Sequence, residues 1–317
     1  MKLTKEGIWM LALALVAGPL TAEAQTYTFI ELSPSGFRSS QAWGVSGGHE
    51  IGYGITATNA HALLWSGTAA SAVDLNPRGF TQSQALGIYG GHEVGFGFRA
   101  AAHTNEHALL WSGTAASDVD LNPCGFTQSQ AFGISGGHEV GYGITGTNEH
   151  ALLWSGTAAS AVDLNPRGFT FSCAFGISGG HEVGYGIIRT NEHALLWSGT
   201  AASVVDLDPR GFTQSEAFGI SGGHEVGYGI IGTNEHALLW SGTAASVVDL
   251  QNFLPSNYLD SAAFRIDANG DIVGEAYNSS TGTQDAILWV LVPEPTTVSL
   301  LALGLGVLFM AARIRRR

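Results

Sequence analysis

The chain has 317 residues, of which 45% are hydrophobic and 12% charged, and this composition excludes a fibrous or intrinsically disordered protein. Its formal net charge is −13, and residues 25–292 hold seven Arg and no Lys against 23 acidic residues. Such an acidic chain disfavours nucleic-acid binding and adhesion of the globular part to anionic lipid.

The first 24 residues have the three parts of a secretory signal peptide. Lys2 and Lys5 precede an apolar run over residues 8–16, and Ala22-Glu23-Ala24 then offers small side chains where signal peptidase cleaves. We expect cleavage before Gln25 and export of the mature chain. The alternative, an N-terminal membrane anchor, is weaker because the apolar run is short for a bilayer.

Residues 25–291 consist of six tandem repeats. The pentapeptide His-Ala-Leu-Leu-Trp recurs every 43 to 46 residues, and a degraded sixth copy follows. Periods of 40 to 50 residues with four short strands per unit are typical of propeller blades. The sequence therefore predicts an all-β fold, a six-bladed β-propeller of four-stranded repeats. The final Trp residues of the repeats are Trp65, Trp111, Trp154, Trp197, Trp240 and Trp289.

The third repeat shows the strands of one blade, which we name A to D in chain order. They are predicted over residues 131–135, 139–144, 150–154 and 161–164. The segment from Phe29 to Pro34 matches the strand D pattern, whereas the last repeat stops after strand C. We therefore predict that the N-terminal segment adds the fourth strand to blade 6 and closes the ring without a free edge.

Strand B alternates large residues with glycine, as in Val140-Gly141-Tyr142-Gly143-Ile144. Glycine in a strand often marks the close approach of another group. We expect a large side chain of a neighbouring blade, such as the repeated Trp, to pack on this bare face.

The repeat resembles the HAF repeat of bacterial extracellular proteins. In that pattern an Ala-x-x-Ile segment, a Gly-x-Val-x-Gly segment and a segment ending in Leu-Trp recur in this order, and the match runs through residues 27–290. The chain has Leu where the pattern often has Phe, as in His150-Ala151-Leu152-Leu153-Trp154, and the sixth repeat lacks the His. The resemblance implies an extracellular location and this repeat architecture rather than an activity.

Ten His residues form two series, one at the start of strand B and one at the start of strand C. Strands B and C run antiparallel, so the two series lie at opposite ends of a blade, and their spacing matches no known zinc pattern. The sixth repeat has Asp271 and Asp285 instead. We therefore interpret the His residues as structural and predict no metal site and no cofactor. The series are His49, His92, His138, His181 and His224, and His61, His107, His150, His193 and His236.

The loops from strand D to the next strand A are polar and aromatic. They share a face with the B to C loops, the face at which propellers usually bind ligands. Our first interpretation is a solvated loop anchored by a buried Phe. The alternative is a mouth that hydrogen-bonds sugar hydroxyls and stacks on sugar rings. Its polar residues would be Gln82, Gln84, Gln128, Gln130, Gln214 and Glu216.

The sequence predicts no catalytic residues. The acidic residues mostly recur with the repeat, and no nucleophile elbow, phosphate loop or dinucleotide fingerprint is present. Cys124 and Cys173 lie in D to A loops of consecutive repeats, where we expect free thiols, with an inter-blade disulfide as the alternative.

Residues 292–317 form a second targeting segment. Pro293-Glu294-Pro295 is followed by an apolar stretch over residues 298–312, which predicts a short transmembrane helix, and then by a basic end. The positive-inside rule keeps that end cytoplasmic; its residues are Arg313, Arg315, Arg316 and Arg317.

This order of motif, apolar segment and basic end resembles a PEP-CTERM sorting signal. The resemblance implies an exosortase, a membrane transpeptidase that cuts near the motif and passes the protein to the envelope or to an extracellular polysaccharide matrix. A permanent C-terminal anchor is the alternative.

Together these patterns predict a signal peptide (1–24), a six-repeat propeller (25–291) and a sorting signal (292–317). The predicted function is that of an exported, non-enzymatic structural or binding module at the cell surface or in the extracellular matrix. The alternatives are a lectin-like carbohydrate-binding propeller and, less favoured, a polysaccharide-active enzyme. The expected partners are an exosortase and an exopolysaccharide, with no nucleic acid. The sequence leaves the ligand, the fate of the tail and the oligomeric state open.

Overall fold

The computed structural model describes residues 28–99 and 105–291, which form six antiparallel sheets. Each sheet corresponds to one repeat, and the strands follow in chain order from the innermost strand A outward. The prediction of a six-bladed β-propeller is confirmed.

The strands have the following bounds. Blade 1 holds β1 (Ser39–Ser46), β2 (His49–Ile55), β3 (Ala60–Trp65) and β4 (Val73–Asp74); blade 2 holds β5 (Gln82–Tyr89), β6 (His92–Phe98), β7 (Glu106–Trp111) and β8 (Val119–Asp120). Blade 3 holds β9 (Gln128–Ser135), β10 (His138–Thr145), β11 (Asn148–Trp154) and β12 (Val162–Asp163); blade 4 holds β13 (Phe171–Ser178), β14 (His181–Ile188), β15 (Asn191–Trp197) and β16 (Val205–Asp206). Blade 5 holds β17 (Gln214–Ser221), β18 (His224–Ile231), β19 (Asn234–Trp240) and β20 (Val248–Asp249); blade 6 holds β21 (Tyr258–Ile266), β22 (Ile272–Asn278) and β23 (Thr283–Trp289). One 3₁₀ turn lies between strands C and D of each of the first five blades, at Ala69–Ser71, Ala115–Ser117, Ala158–Ser160, Ala201–Ser203 and Ala244–Ser246, and another at Leu250–Phe253.

Tight turns of two glycines join strands A and B. In blade 3, Gly136 and Gly137 have φ values of 59° and 79°. These are left-handed values, which a type I′ hairpin turn needs and which glycine adopts at little cost. The same pair recurs in blades 1, 2, 4 and 5, so the repeated sequence specifies the same hairpin in each of them.

Hydrophobic side chains are buried between the faces of successive blades. Between blades 3 and 4, for example, Val140 and Leu153 pack with Leu195 and Trp197. Equivalent clusters join all consecutive blades from 1 to 6. Because Trp197 is fully buried, truncation of a side chain of this kind to Ala would cost about 3–5 kcal/mol.

A repeated hydrogen bond also joins successive blades. The backbone N–H of Ala151 in blade 3 donates to Oγ of Ser172 in blade 4 at 3.0 Å, and this hydroxyl donates to Oδ1 of Asn165 at 2.7 Å. Ser172 is fully buried, so the hydroxyl satisfies a backbone donor that water does not reach. The equivalent serines are Ser83, Ser129, Ser215 and Ser261.

Blade 6 lacks the predicted fourth strand. Its sheet contains three strands, and residues 28–38 form none, so the prediction that residues 29–34 complete it is wrong. In blades 1 to 5 the Asp of strand D accepts from the His of strand C, as between Asp163 and His150 at 2.8 Å. The sequence offers Asp285 in place of this His and Glu31 in place of the Asp. Asp285 accepts within its own blade, from the hydroxyl of Tyr258 at 3.1 Å and from Nδ2 of Asn278 at 3.0 Å.

The facing surfaces of blades 1 and 6 are exposed. Val45 of blade 1 and Leu288 of blade 6 are 70% and 58% exposed, whereas Ile134 and Leu153 at the equivalent places in blade 3 are 9% and 8% exposed. Ser40, which corresponds to Ser172, donates to Oγ of Ser33 at 3.3 Å. The ring therefore has five packed interfaces and one open seam within the described residues.

The glycines of strand B face their own blade. A Cβ on Gly141 would collide with the carbonyl oxygen of Gln130 in strand A, and one on Gly143 would lie 2.6 Å from Cδ1 of Phe126. The expectation that a Trp of a neighbouring blade covers this face is wrong, because strand A and the Phe of the D to A loop already occupy it.

Candidate functional site

A β-bulge in strand A of every blade leaves one residue out of the ladder. In blade 3 the pairing of β9 with β10 passes from Ala131 to Gly133 and omits Phe132. The same irregularity occurs in the other five blades. Bulges commonly re-aim a side chain beside a functional site. The six bulged residues, which we call the collar, are Trp43, Leu86, Phe132, Phe175, Phe218 and Phe264.

The collar lines a central cavity of about 530 Å³. The ring centroid of Phe175 lies 5.6 Å from that of Phe132 and 5.5 Å from that of Phe218. Phe175 also stacks on Tyr185 of its own blade, at 5.7 Å. The three Phe rings are only partly buried. The cavity is therefore within the size range of small-ligand sites and has a wall of accessible aromatic surface.

The residue after the collar is glycine in blades 1 to 5 because neighbouring strands A approach closely there. A Cβ on Gly133 would lie 3.0 Å from the carbonyl oxygen of Phe175. Blade 6 has Arg265 at this place, and its side chain lines the cavity with the collar. Nη1 donates to the carbonyl oxygens of Phe264 at 2.8 Å and Phe218 at 3.3 Å. Loss of hydration lowers the pKa of Arg265, yet a guanidinium stays charged at neutral pH.

Two carboxylates meet between blades 4 and 5, next to the collar. Oε1 of Glu216 accepts from the hydroxyl of Tyr228 at 3.0 Å, and the ring of Tyr228 stacks on Phe218 at 5.6 Å. Desolvation, followed by the adjacent carboxylate of Glu192, raises the pKa of Glu216 to about 7. Glu216 can therefore gain or lose a proton near neutral pH.

The residues predicted for the ligand face lie at the start of strand A rather than in open loops. Gln82, Gln128 and Gln214 are the first residues of β5, β9 and β17. They are partly buried. The interpretation of these three residues as part of a solvated loop is therefore corrected: they begin strand A.

The other three predicted residues, Gln84, Gln130 and Glu216, lie two residues before the collar. Nε2 of Gln130 donates to the carboxylate of Glu106 in blade 2, so these side chains reach across the boundary between blades. Their role in ligand binding stays a prediction. The collar itself was not among the residues chosen from the sequence.

Both His series form hydrogen bonds inside their own blades. Nδ1 of His138 lies 2.9 Å from Oγ of Ser155, and Nδ1 of His150 lies 2.8 Å from Oδ2 of Asp163. The same contacts recur in blades 1, 2, 4 and 5. Among the described residues no group of three or more His, Cys, Asp and Glu is placed to hold a metal ion. These contacts support a structural role for the His residues.

The two cysteines are separate free thiols. Cys124 is exposed and Cys173 is buried, so the alternative of an inter-blade disulfide is not formed. Burial, followed by the nearby carboxylate of Glu149, raises the pKa of Cys173 well above its usual value. The thiol therefore stays protonated and unreactive at neutral pH.

The predicted targeting segments lie outside the described residues. These are the signal peptide over 1–24, the motif Pro293, Glu294 and Pro295, and the basic end with Arg313, Arg315, Arg316 and Arg317. Residues 291–317 match the PEP-CTERM protein-sorting motif, which confirms that resemblance. The motif indicates an exported protein with a membrane-anchored precursor that an exosortase processes.

In the part of the chain that the structure describes, no helix is long and apolar enough to cross a membrane.

Solved structures share the propeller fold. The β-propeller domain of the Trilobed protease from Pyrococcus furiosus, whose propeller has an open velcro topology, superposes with a TM-score of 0.55 at 9% identity, covering 80% of this chain and 83% of that one. Puromycin hydrolase gives 0.55 at 11% identity, covering 84% and 47%. Acylaminoacyl peptidase from Pyrococcus horikoshii gives 0.51 at 12% identity, covering 82% and 46%. This chain thus spans about half the length of the two enzymes, and identities this low show the fold alone. No curated protein matches the chain in sequence.

The fold and the motif together define the class of protein. It is a six-bladed β-propeller that is exported with a C-terminal PEP-CTERM sorting motif.

Proposed function

We propose that this protein is a non-enzymatic ligand-binding module, displayed at the cell surface or in the extracellular matrix, and that the central cavity is its binding site. One observation carries the proposal. Six bulges aim six equivalent side chains at a single cavity, and five of the six are aromatic. These rings are accessible, whereas the Trp residues that end strand C in blades 1 to 5 are fully buried between blades.

Accessible rings in a cavity favour a ligand with apolar faces. Burial of apolar surface contributes about 25 cal/mol per Å² to the free energy. A ligand that covers the three Phe rings would therefore bind more tightly because it removes their apolar surface from water. The guanidinium of Arg265 lines the same cavity and carries hydrogen-bond donors. Flat rings beside hydrogen-bonding groups suit a saccharide, whose ring has apolar faces and polar edges. Carbohydrate binding is therefore the specific form of the proposal.

The carboxylate pair supports a weaker second candidate, a polysaccharide-active enzyme. A carboxyl group with a pKa near 7 is suited to acid catalysis, as in Glu216. However, Glu216 is engaged by Tyr228 and lies between blades 4 and 5. Release of reducing ends from a polysaccharide, lost in Glu216→Gln, would favour the enzyme over the binding module.

The collar can be tested with substitutions that the fold already tolerates. Blade 2 has Leu86 in the collar, so we expect a variant with Phe132→Leu, Phe175→Leu and Phe218→Leu to fold. Tyr89→Ser is the matched control, because it removes an exposed aromatic outside the cavity at a place where blade 3 has Ser135.

The assay is affinity electrophoresis of the full-length protein through a panel of neutral and acidic polysaccharides. We expect wild type and the Tyr89→Ser control to be retarded by at least one polysaccharide, and the triple variant to migrate freely. Equal retardation of all three proteins would place binding outside the cavity. No retardation of wild type by any of them would contradict carbohydrate binding.

Display at the surface is tested by changing Pro293→Ala, Glu294→Ala and Pro295→Ala together. We expect intact-mass measurement to show loss of the C-terminal segment in wild type only, with that protein in the outer envelope or matrix. An uncut tail in both proteins, with both held in the inner membrane, would contradict exosortase sorting.

A further inference from the structure

Arg265 is a cation in the cavity, and it has no carboxylate partner among the described residues. Within residues 28–99 and 105–291 the arginine that forms an ion pair is Arg99, with Asp120 at 2.6 Å. The hydrogen bonds of Arg265 involve Nη1 and two backbone carbonyls. A guanidinium has five N–H donors in a planar fork that fits a carboxylate. The other donors of this guanidinium have no hydrogen-bond partner in the part of the chain that the structure describes.

A cation is not part of the repeat at the position of Arg265. Blades 1 to 5 have glycine at the equivalent position, as in Gly176 and Gly219. Desolvation lowers the pKa of Arg265, and the residue is nevertheless exposed. An anionic ligand group would form a charge-assisted hydrogen bond with its guanidinium.

The charge of the whole chain limits how many anionic groups the ligand carries. The net charge is −13, so a densely charged polyanion would be repelled before it reached the cavity. A ligand with one anionic group and otherwise neutral rings avoids most of that repulsion. Phe218 and Phe264, whose carbonyls hold the guanidinium, are collar residues, so one ligand can contact the rings and the charge together.

From these observations we infer that the cavity binds a weakly acidic saccharide, with one carboxylate of a hexuronate unit on the guanidinium of Arg265 and the neighbouring neutral sugar rings on the collar. The inference rests on the proposed binding function of the cavity and names its ligand class.

The test compares two trisaccharides that differ at one group: one ends in glucuronate and the other in glucose. Affinities for the full-length protein are measured by isothermal titration calorimetry at low and high salt. The variant is Arg265→Gly, which gives blade 6 the residue of the other blades. The control is Arg167→Ser, which removes an exposed arginine of a D to A loop, where the N-terminal segment has Ser35.

We expect wild type and the Arg167→Ser control to bind the acidic trisaccharide about 10-fold more tightly than the neutral one, with the preference falling at high salt. In Arg265→Gly the preference should vanish while the affinity for the neutral trisaccharide is unchanged. That combination separates a role in recognising charge from a role in folding.

Three outcomes would overturn the inference. Equal affinity of wild type for both trisaccharides would do so and would leave the proposed binding function intact. A preference that persists in Arg265→Gly would place the anion elsewhere. Tighter binding of a short aromatic peptide with a free carboxyl terminus than of the acidic trisaccharide would assign the site to a different class of ligand. The polysaccharide panel with the collar variant tests the binding function separately.

Discussion

The carboxylate pair between blades 4 and 5 makes the stability of the propeller depend on pH near neutrality. Glu216 has a pKa of about 7 in the folded protein, against an ordinary value of 4.5. Because the folded chain holds this proton more tightly than the unfolded chain, protonation favours folding. The contribution is complete below about pH 4.5 and is lost as the pH rises through about 7.

The substitution Glu216→Gln removes this dependence. Blade 3 already has Gln130 at the same place, where its amide donates to Glu106 of the preceding blade. In the variant, the amide should donate to Glu192 in the same way and keep an oxygen for the hydroxyl of Tyr228. We therefore expect no loss of packing.

The magnitude follows from the shift. At about 1.4 kcal/mol for each unit of pKa, a change from 4.5 to about 7 corresponds to at most about 3 kcal/mol. The titration of Glu216 depends on the neighbouring carboxylate of Glu192, and the site is partly solvated. We therefore expect the variant to gain about 1–2 kcal/mol at pH 8 and nothing at pH 4.5, a rise in Tm of about 2–6 °C at the higher pH.

The assay is thermal unfolding of the full-length protein from pH 4.5 to pH 8, followed by circular dichroism. The control is Asp118→Ala, which removes a carboxylate at a place where blades 1 and 3 have Ala72 and Ala161. We expect its pH profile to be parallel to that of wild type. A Glu216→Gln profile parallel to wild type, or a loss of stability at pH 8, would refute the reasoning.

The remaining predictions concern the scaffold and are read from chemical or thermal unfolding. Ser172→Ala leaves the buried N–H of Ala151 without an acceptor and should cost about 1–3 kcal/mol, whereas Ser40→Ala at the open seam should cost less than about 0.5 kcal/mol; equal costs would mean that the seam is packed. Gly141→Ala places a methyl group against a backbone carbonyl of strand A and should cost about 3 kcal/mol or more; a wild-type midpoint would show that strand A yields easily. Arg189 has a φ of 62° where blades 3 and 5 have glycine, so Arg189→Gly should raise stability by about 0.5–1 kcal/mol, and a lower midpoint would show that the lost side chain matters more than the backbone.

The sequence alone determined the number of blades, the order of strands in each and the A to B turns. These features are local, because a period of about 43 residues, strand-length apolar segments and paired glycines act within one repeat. The structural role of the His residues stays a prediction, which their hydrogen bonds within each blade support.

Only the tertiary structure decided the site and the seam. The motif around Phe132 is visible in the sequence as Ala-Phe-Gly-Ile, but its bulge depends on pairing with strand B, which no property of strand A alone reveals. The N-terminal segment matches strand D in pattern, yet it forms no strand and the sheet of blade 6 keeps three strands. Pairing depends on the edge that another part of the fold presents, which the pattern of the segment alone does not reveal. The pKa of Glu216 likewise depends on Glu192 in another blade. Local sequence patterns therefore specify each blade. Contacts between strands and between blades decide which residues face the cavity, whether Glu216 is protonated near neutral pH, and where the ring is open.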